Sequence, residues 1–239
     1  MAELASVLPD VRSGHCDPLT SKSIDFMSLL SPVNRRRLLE GSTQATYPAG
    51  TVVLHPNDPP TVYLMVRGLA RSFWSLPDGR QATVAFLRSA ELIGAPMAAG
   101  QASWMFAQVV TESTLTILDR ETVSHLAATD LEVSSAIATH LAMRVRDAYR
   151  LVALSTLGTI RERLAYDLLE RACQAQLGGG RLEARSTHAD LADSIGSSRE
   201  VMSRALRDLR EEGIVETAPG LIRILNPTAL AAIVRAFVI

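Results

Sequence analysis

Cysteine is nearly absent from this chain of 239 residues, occurring only at Cys16 and Cys173. Two thiols exclude a disulfide framework, an all-cysteine metal site and a four-cysteine iron–sulfur centre within one chain. Lysine is scarcer still: of 24 basic residues only Lys22 is a lysine, and the others are arginine. No apolar run approaches the roughly 18–20 residues that cross a bilayer, and residues 1–14 lack the basic start and apolar core of an export signal. A soluble, cytoplasmic protein without a membrane partner is therefore expected. No charge of one sign dominates either. The net charge is −1 and the pI near 6.5, so any nucleic-acid binding has to come from a local patch. What remains is globular in proportion, 47% hydrophobic and 21% charged, which excludes wholesale disorder.

The chain changes texture twice. Residues 1–23 read as a flexible lead-in, and a short helical stretch over residues 24–39 is broken and restarted at Ser31-Pro32. Between Tyr47 and Leu118 come six short β-type runs: Thr51–Leu54, Val62–Val66, Leu69–Trp74, Ala82–Leu87, Ala107–Thr111 and Leu115–Leu118. Turn signals such as Pro48-Ala49-Gly50, Arg67-Gly68 and Pro77-Asp78-Gly79 separate them. Short strands without long helices between them predict an antiparallel sandwich or barrel over residues 24–128. From Glu121 onward the pattern is helical. Ile137, Leu141, Val145, Ala148, Val152 and Ser155 keep a heptad rhythm, which predicts a helix from Leu131 to Leu157 about 40 Å long. Its seam wants a partner, most economically its own copy in a parallel two-fold dimer; the alternative is packing on the strands of its own chain. Residues 129–157 are thus read as a dimerisation helix. After the break at Leu157-Gly158-Thr159 a C-terminal domain occupies residues 158–239.

The informative stretch runs from Thr187 to Leu209. Thr187 caps a helix with Asp190 in the reciprocal position of a capping box. Leu191, Ala192 and Ile195 supply an inward face, Gly196 permits a tight turn, and Ser197-Ser198 cap a second helix that buries Met202, Ala205, Leu206 and Leu209. This is a helix-turn-helix. Outward on the second helix stand Arg199, Glu200, Ser203 and Arg204. An arginine reads guanine N7 and O6 in a major groove, and a carboxylate accepts from cytosine N4. The competing reading is a solvated helix with Glu200 and Arg204 as an ordinary i,i+4 pair. Gly213-Ile214-Val215 and Leu221–Ile224, joined through Pro219-Gly220, add the hairpin of a wing.

With these residues in place, the chain resembles the Crp/Fnr family of bacterial transcription regulators over residues 24–226. The resemblance rests on Tyr47-Pro48-Ala49-Gly50, Arg67-Gly68, Leu92-Ile93-Gly94, the long helix and Ser198-Arg199-Glu200-Val201-Met202-Ser203-Arg204. It implies an α+β architecture: an antiparallel β jelly-roll of the cyclic-nucleotide-binding kind, a long dimerisation helix and a winged helix-turn-helix. It further implies a homodimer on double-stranded DNA, with contact to RNA polymerase. In the family, two arginines and the glutamate read TGTGA-type half-sites, whereas glutamate, serine and arginine read TTGAT-type sites. All of these residue types are present, so both readings stay open around a shared TGA core. By this analogy Arg204 takes the TGA guanine, Glu200 the cytosine opposite it, and Arg199 an outer guanine. Ser198, Thr187 and His188 complete the DNA-binding set, His188 touching phosphate or water. Ile137, Leu141, Val145, Ala148 and Val152 form the dimer seam.

The sensor half departs from that pattern. The family places a glutamate just after a glycine to hold a ribose hydroxyl, and an arginine some ten residues later to neutralise a phosphate. Here Gly94 is followed by Ala95-Pro96, and the arginine's place falls near Ser103-Trp104. A buried phosphate without a cation is costly, so cyclic nucleotide binding is not expected. Met97, Trp104, Met105 and Phe106 suggest a closed apolar cavity there, with no evident ligand pocket. No cofactor is expected, and no metal site. Other effector routes are haem on one of His15, His55, His125, His140 or His188, with His140 the best placed, redox chemistry at Cys16 or Cys173, or an unidentified small ligand. An isolated helix histidine is more commonly structural, and constitutive DNA competence is the leading expectation. An enzyme of the cupin kind would need clustered strand histidines where only His55 stands. A cyclic-nucleotide-type interaction module without DNA binding would lack the helix-turn-helix.

Overall fold

The first regular turn is a 3-10 segment, Phe26–Leu29, because the Asp25 carboxylate accepts from the Met27 N–H at 3.0 Å. Residues 25–99, 101–177, 181–234 and 237 are described by this computed structural model. Helix α1 (Pro32–Leu39) follows, with Ser31 as N-cap and Pro32 where a helix has no use for an N–H. The break at Ser31-Pro32 falls where the sequence places it. Eight strands come next: β1 (Thr43–Tyr47), β2 (Val52–Leu54), β3 (Tyr63–Arg67), β4 (Leu69–Ser75), β5 (Gln81–Arg88), β6 (Leu92–Ile93), β7 (Phe106–Val109) and β8 (Ser113–Ile117). They form two four-stranded sheets, in the orders β1-β8-β3-β6 and β2-β7-β4-β5. Thr43 lies opposite Ile117 and Tyr63 opposite Ile117 on its other side. Between β3 and β4 the chain turns at Gly68, φ +113°. A Cβ there would lie 2.1 Å from the Ser113 hydroxyl, so only glycine fits the turn.

The inward residues of both sheets, Met65, Val109 and Leu115 among them, share one core with Phe26, Leu38, Val123, Leu126 and Val133. The last three come from α2 (Arg120–Thr129) and α3 (Leu131–Leu157). Asp119 caps α2 by accepting from Thr122. Asp130 separates the two helices, its carboxylate accepting from the Glu132 and Val133 N–H groups at 3.1 and 3.2 Å. Helix α3 has the bounds that the heptad rhythm predicts. Two strands escape the sequence reading. The segment Thr-Gln-Ala-Thr-Tyr of β1 lies largely exposed at a sheet edge and carries no hydrophobic alternation, while β6 has only two residues.

The chain divides into two units. The first comprises residues 25–74 and 84–148, the second residues 75–83 and those from 149 onward. In the second, α4 (Ile160–Leu177) is followed by β9 (Glu183–Arg185), α5 (His188–Ser194), α6 (Arg199–Glu211), β10 (Val215–Ala218), β11 (Leu221–Ile224) and α7 (Pro227–Ile233). Leu164, Leu168, Leu191, Met202, Leu209 and Leu230 are fully buried and make its core. The hairpin β10–β11 pairs Val215 with Ile224 and gains a third strand, β9, which the sequence does not announce. Helix α7 likewise lies beyond the sequence reading, although Asn226 caps it and Pro227 opens it. Among the described residues no helix is long and apolar enough to cross a membrane.

Candidate nucleic-acid interface

The start of α5 is fixed by the predicted capping box. Thr187 Oγ1 accepts from the Asp190 N–H at 3.1 Å, and the Asp190 carboxylate accepts from the Thr187 N–H at 3.2 Å. The helix ends at Ile195, and Gly196 turns the chain at φ +63°, a conformation that costs any side chain. Ser198 then caps α6, its hydroxyl accepting from the Val201 N–H. Met202, Ala205, Leu206 and Leu209 are buried at the spacing that the sequence assigns to the inner face.

Beneath α5 lies a buried polar support that sequence reasoning missed. Asp167 of α4 accepts from Arg171 Nε and from the Ser194 hydroxyl, and all three residues are buried. Arg161 of α4 clamps the end of α6 by a two-pronged pair with Glu212, which raises the guanidinium pKa and lowers that of the carboxyl. In the wing, Arg223 of β11 pairs with Glu183 and Glu216 and locks three strands together.

The outer face of α6 is different. Arg199, Glu200 and Arg204 are exposed and Ser203 is half-buried. Neither Arg199 nor Arg204 has an ion-pair partner among the described residues, so Glu200 and Arg204 do not spend their charge on each other. His188 Nδ1 lies 3.1 Å from the Ser203 hydroxyl. Sequence reasoning assigns His188 to phosphate or water; its actual neighbour is a member of the candidate reading set, from the facing helix. Val201, 38% exposed on the first turn of α6, is an apolar side chain beside these residues that the sequence reading passes over.

The heptad seam on α3 has two parts. Ile137 belongs to the core of the roll and Leu141 packs against it, which realises part of the competing reading that the seam rests on its own strands. Val145 and Val152 are 50% and 59% exposed, and Tyr149 beside them is 71% exposed. The outward apolar stripe therefore starts at Val145.

Within the roll, Gly94, Ala95, Ser103 and Trp104 line one cavity of about 160 Å³, together with Met97, Met105 and Phe106. It is apolar, as the sequence suggests, but it is open where a closed cavity is expected, because the side chains of Met97, Trp104, Met105 and Phe106 line the space without filling it. Arg144 is the one arginine in its wall. Its Nη1 donates to the Phe86 carbonyl at 2.7 Å, and its Nη2 to Glu91 at 3.1 Å and to Asp147. No bidentate fork is left for a phosphate, and Ala95 offers nothing to a ribose hydroxyl. The residues present do not fit a cyclic nucleotide. Of the histidines, His140 is buried at 2% exposure, where the sequence leaves it either structural or a haem ligand. Cys173 is buried on α4, whereas His15 and Cys16 lie outside the described residues.

A winged helix-turn-helix joined in one chain to a jelly-roll of the cyclic-nucleotide-binding type defines a class of DNA-binding transcriptional regulators. The Crp-like helix-turn-helix domain matches residues 162–233, and the cyclic nucleotide-binding domain residues 44–130. The chain is 32% identical over 189 residues to the cyclic AMP receptor protein of Thermus thermophilus, covering 78% of this chain and 86% of that one. It is 30% identical over 182 residues to the transcriptional regulator LdrP of a second strain of the same species, covering 75% and 90%. A solved CRP/FNR-family transcriptional regulator, also from T. thermophilus, superposes with a TM-score of 0.67 at 27% identity, over 81% of this chain and 98% of that chain. The chain belongs to the Crp/Fnr family of transcriptional regulators, and so to a family of regulators rather than enzymes.

Proposed function

We propose that two copies of this chain pair along the outward stripe of α3 and set two α6 helices into successive major grooves, about 34 Å apart, on an inverted repeat. The observation that carries this is the end of α6. Two exposed arginines without an ion partner among the described residues flank an exposed carboxylate on the helix's first two turns. Arg204 is assigned to the guanine of a TGA core, Glu200 to the cytosine opposite and Arg199 to an outer guanine. Ser203, held by His188, bears on the choice between TGTGA-like and TTGAT-like half-sites. Thr187, His188 and Ser198 are assigned to phosphate contact, which positions the protein without reading sequence. Val145, Ala148 and Val152 are the pairing surface that remains once Ile137 and Leu141 are given to the roll. RNA polymerase is the expected protein partner at a promoter.

The cavity in the roll favours effector control over constitutive DNA competence, but not control by cyclic AMP. The test is selection of bound duplexes from a random pool by the full-length protein, paired with sedimentation of Val145→Glu. Enrichment of inverted TGA repeats one helical turn apart is expected, with Val145→Glu monomeric and weak on the selected site. An enriched site without two-fold symmetry, or no enrichment at low salt, would overturn the reading.

A further inference from the structure

The bond between His188 and Ser203 joins the first residue of α5 to the second turn of α6, and neither side chain has another hydrogen-bond partner among the described residues. A serine inside a helix commonly turns its hydroxyl back to the carbonyl four residues earlier. Ser203 reaches across to the facing helix instead, where His188 Nδ1 lies at 3.1 Å. Ser203 follows Arg199 by four residues and Glu200 by three, so the bond sits on the face that those two share. His188 is exposed, and its Nε2 bonds no described residue. One ring nitrogen is thus spent on a member of the reading set, and the other is left for a partner from outside.

A hydroxyl has one proton to give and lone pairs to accept with. If Ser203 gives its proton to Nδ1, only lone pairs are left to meet a base. They suit a base that presents an amino group in the major groove, adenine through N6 or cytosine through N4. If Nδ1 carries the proton instead, the serine O–H is free for guanine O6 or thymine O4. The imidazole therefore decides which bases Ser203 favours. A neutral ring holds one proton, and the partner of one nitrogen sets the state of the other. A DNA phosphate offers only acceptors, so Nε2 has to donate to it, which leaves Nδ1 bare. We infer that His188 bridges a phosphate and Ser203, fixes the serine as an acceptor, and so selects adenine or cytosine at the base that Ser203 faces. The inference rests on the placement of α6 in a major groove proposed above, and makes His188 a residue that sets specificity without touching a base. A plain tack between two helices would carry no such preference.

The test scans all four bases at each half-site position outside TGA, using the full-length protein on the selected duplex at about pH 8.5, so that a neutral ring is probed. Preferences are read as ratios between bases, in which any general loss of affinity cancels. At one position adenine and cytosine are expected to outbind guanine and thymine on the same strand by on the order of tenfold. Ser203→Ala should level that position. His188→Lys still brings a cation to phosphate but has donors only, so it should level or reverse the ratio. In the DNA complex of histidine-labelled protein, the nitrogen-15 signals of His188 should show a proton on Nε2 and none on Nδ1. If His188→Lys does not fold, Ser203→Ala and the nitrogen signals decide alone. A preference for guanine or thymine at the Ser203-dependent position, no position that depends on Ser203, a proton on Nδ1, or an unchanged ratio in His188→Lys would each overturn the inference while inverted TGA repeats stand. Failure to select those repeats would overturn both the inference and the reading of α6.

Discussion

Arg204 and Arg144 are the same residue type in opposite circumstances. Arg204 stands exposed on α6 with no ion partner among the described residues, its fork available to a guanine edge. Arg144 lies against the roll's cavity with its Nη atoms committed to a carbonyl and two carboxyls. Whether an arginine can serve a ligand is decided by what already compensates it, not by its presence in a pocket. The same contrast separates the chain's halves: one end of α6 offers unspent charge, while the cavity of the roll offers an apolar wall. That difference explains how a chain of this family can present exposed arginines on α6 while its roll lacks the partners for a charged nucleotide.

The sharpest way to break the contrast is to remove the buried support beneath α5. Asp167→Ala leaves Arg171 and Ser194 buried without their acceptor and should cost about 3–5 kcal/mol in thermal or urea unfolding. Next comes acid. The His140 pKa lies near 4 in the fold against 6.5 when free, so the unfolded chain takes up a proton that the folded chain does not. Stability from this residue is therefore lost as pH falls from about 6.5 to about 4, amounting to about 3 kcal/mol. Burial is the main cause, Arg144 adds to it, and Asp147 opposes it. Unfolding of His140→Phe across that range should show a correspondingly shallower slope. A smaller loss falls on the DNA side. Arg204→Ala should weaken the selected site by about 1–3 kcal/mol and relax one guanine; equal loss on scrambled DNA in a competition assay would reassign Arg204 to phosphate. Smallest is Ser198→Ala, which removes the α6 cap and should lower unfolding stability by about 1 kcal/mol.

Much of the second unit is readable because its signals are local. Thr187 and Asp190, Gly196, Ser198 and the run Met202, Ala205, Leu206, Leu209 each act within a few residues, and each lies where its spacing puts it. The long helix is readable for the same reason. What escapes depends on residues far apart in the chain. Nothing near Arg144 announces Glu91 or the Phe86 carbonyl, which lie 53 and 58 positions away. Nor does a lone histidine in a helix reveal whether it will be wet or dry, and His140 becomes informative only once the Leu92 backbone and the cavity surround it. The bond from His188 to Ser203 likewise needs two helices to meet. Edge strand β1 escapes for a simpler reason: an exposed strand has no apolar stripe to betray it.

Helix α3 runs from Leu131 to Leu157 without a glycine or a proline. Kinks in helices come from such residues or from inserted groups, so this one has no built-in joint. His140 and Arg144 on one side and Val145, Tyr149 and Val152 on another are then fixed to a single stiff shaft. Within the first unit, then, the cavity wall at His140 and Arg144 and the start of the apolar stripe at Val145 share one uninterrupted helical register.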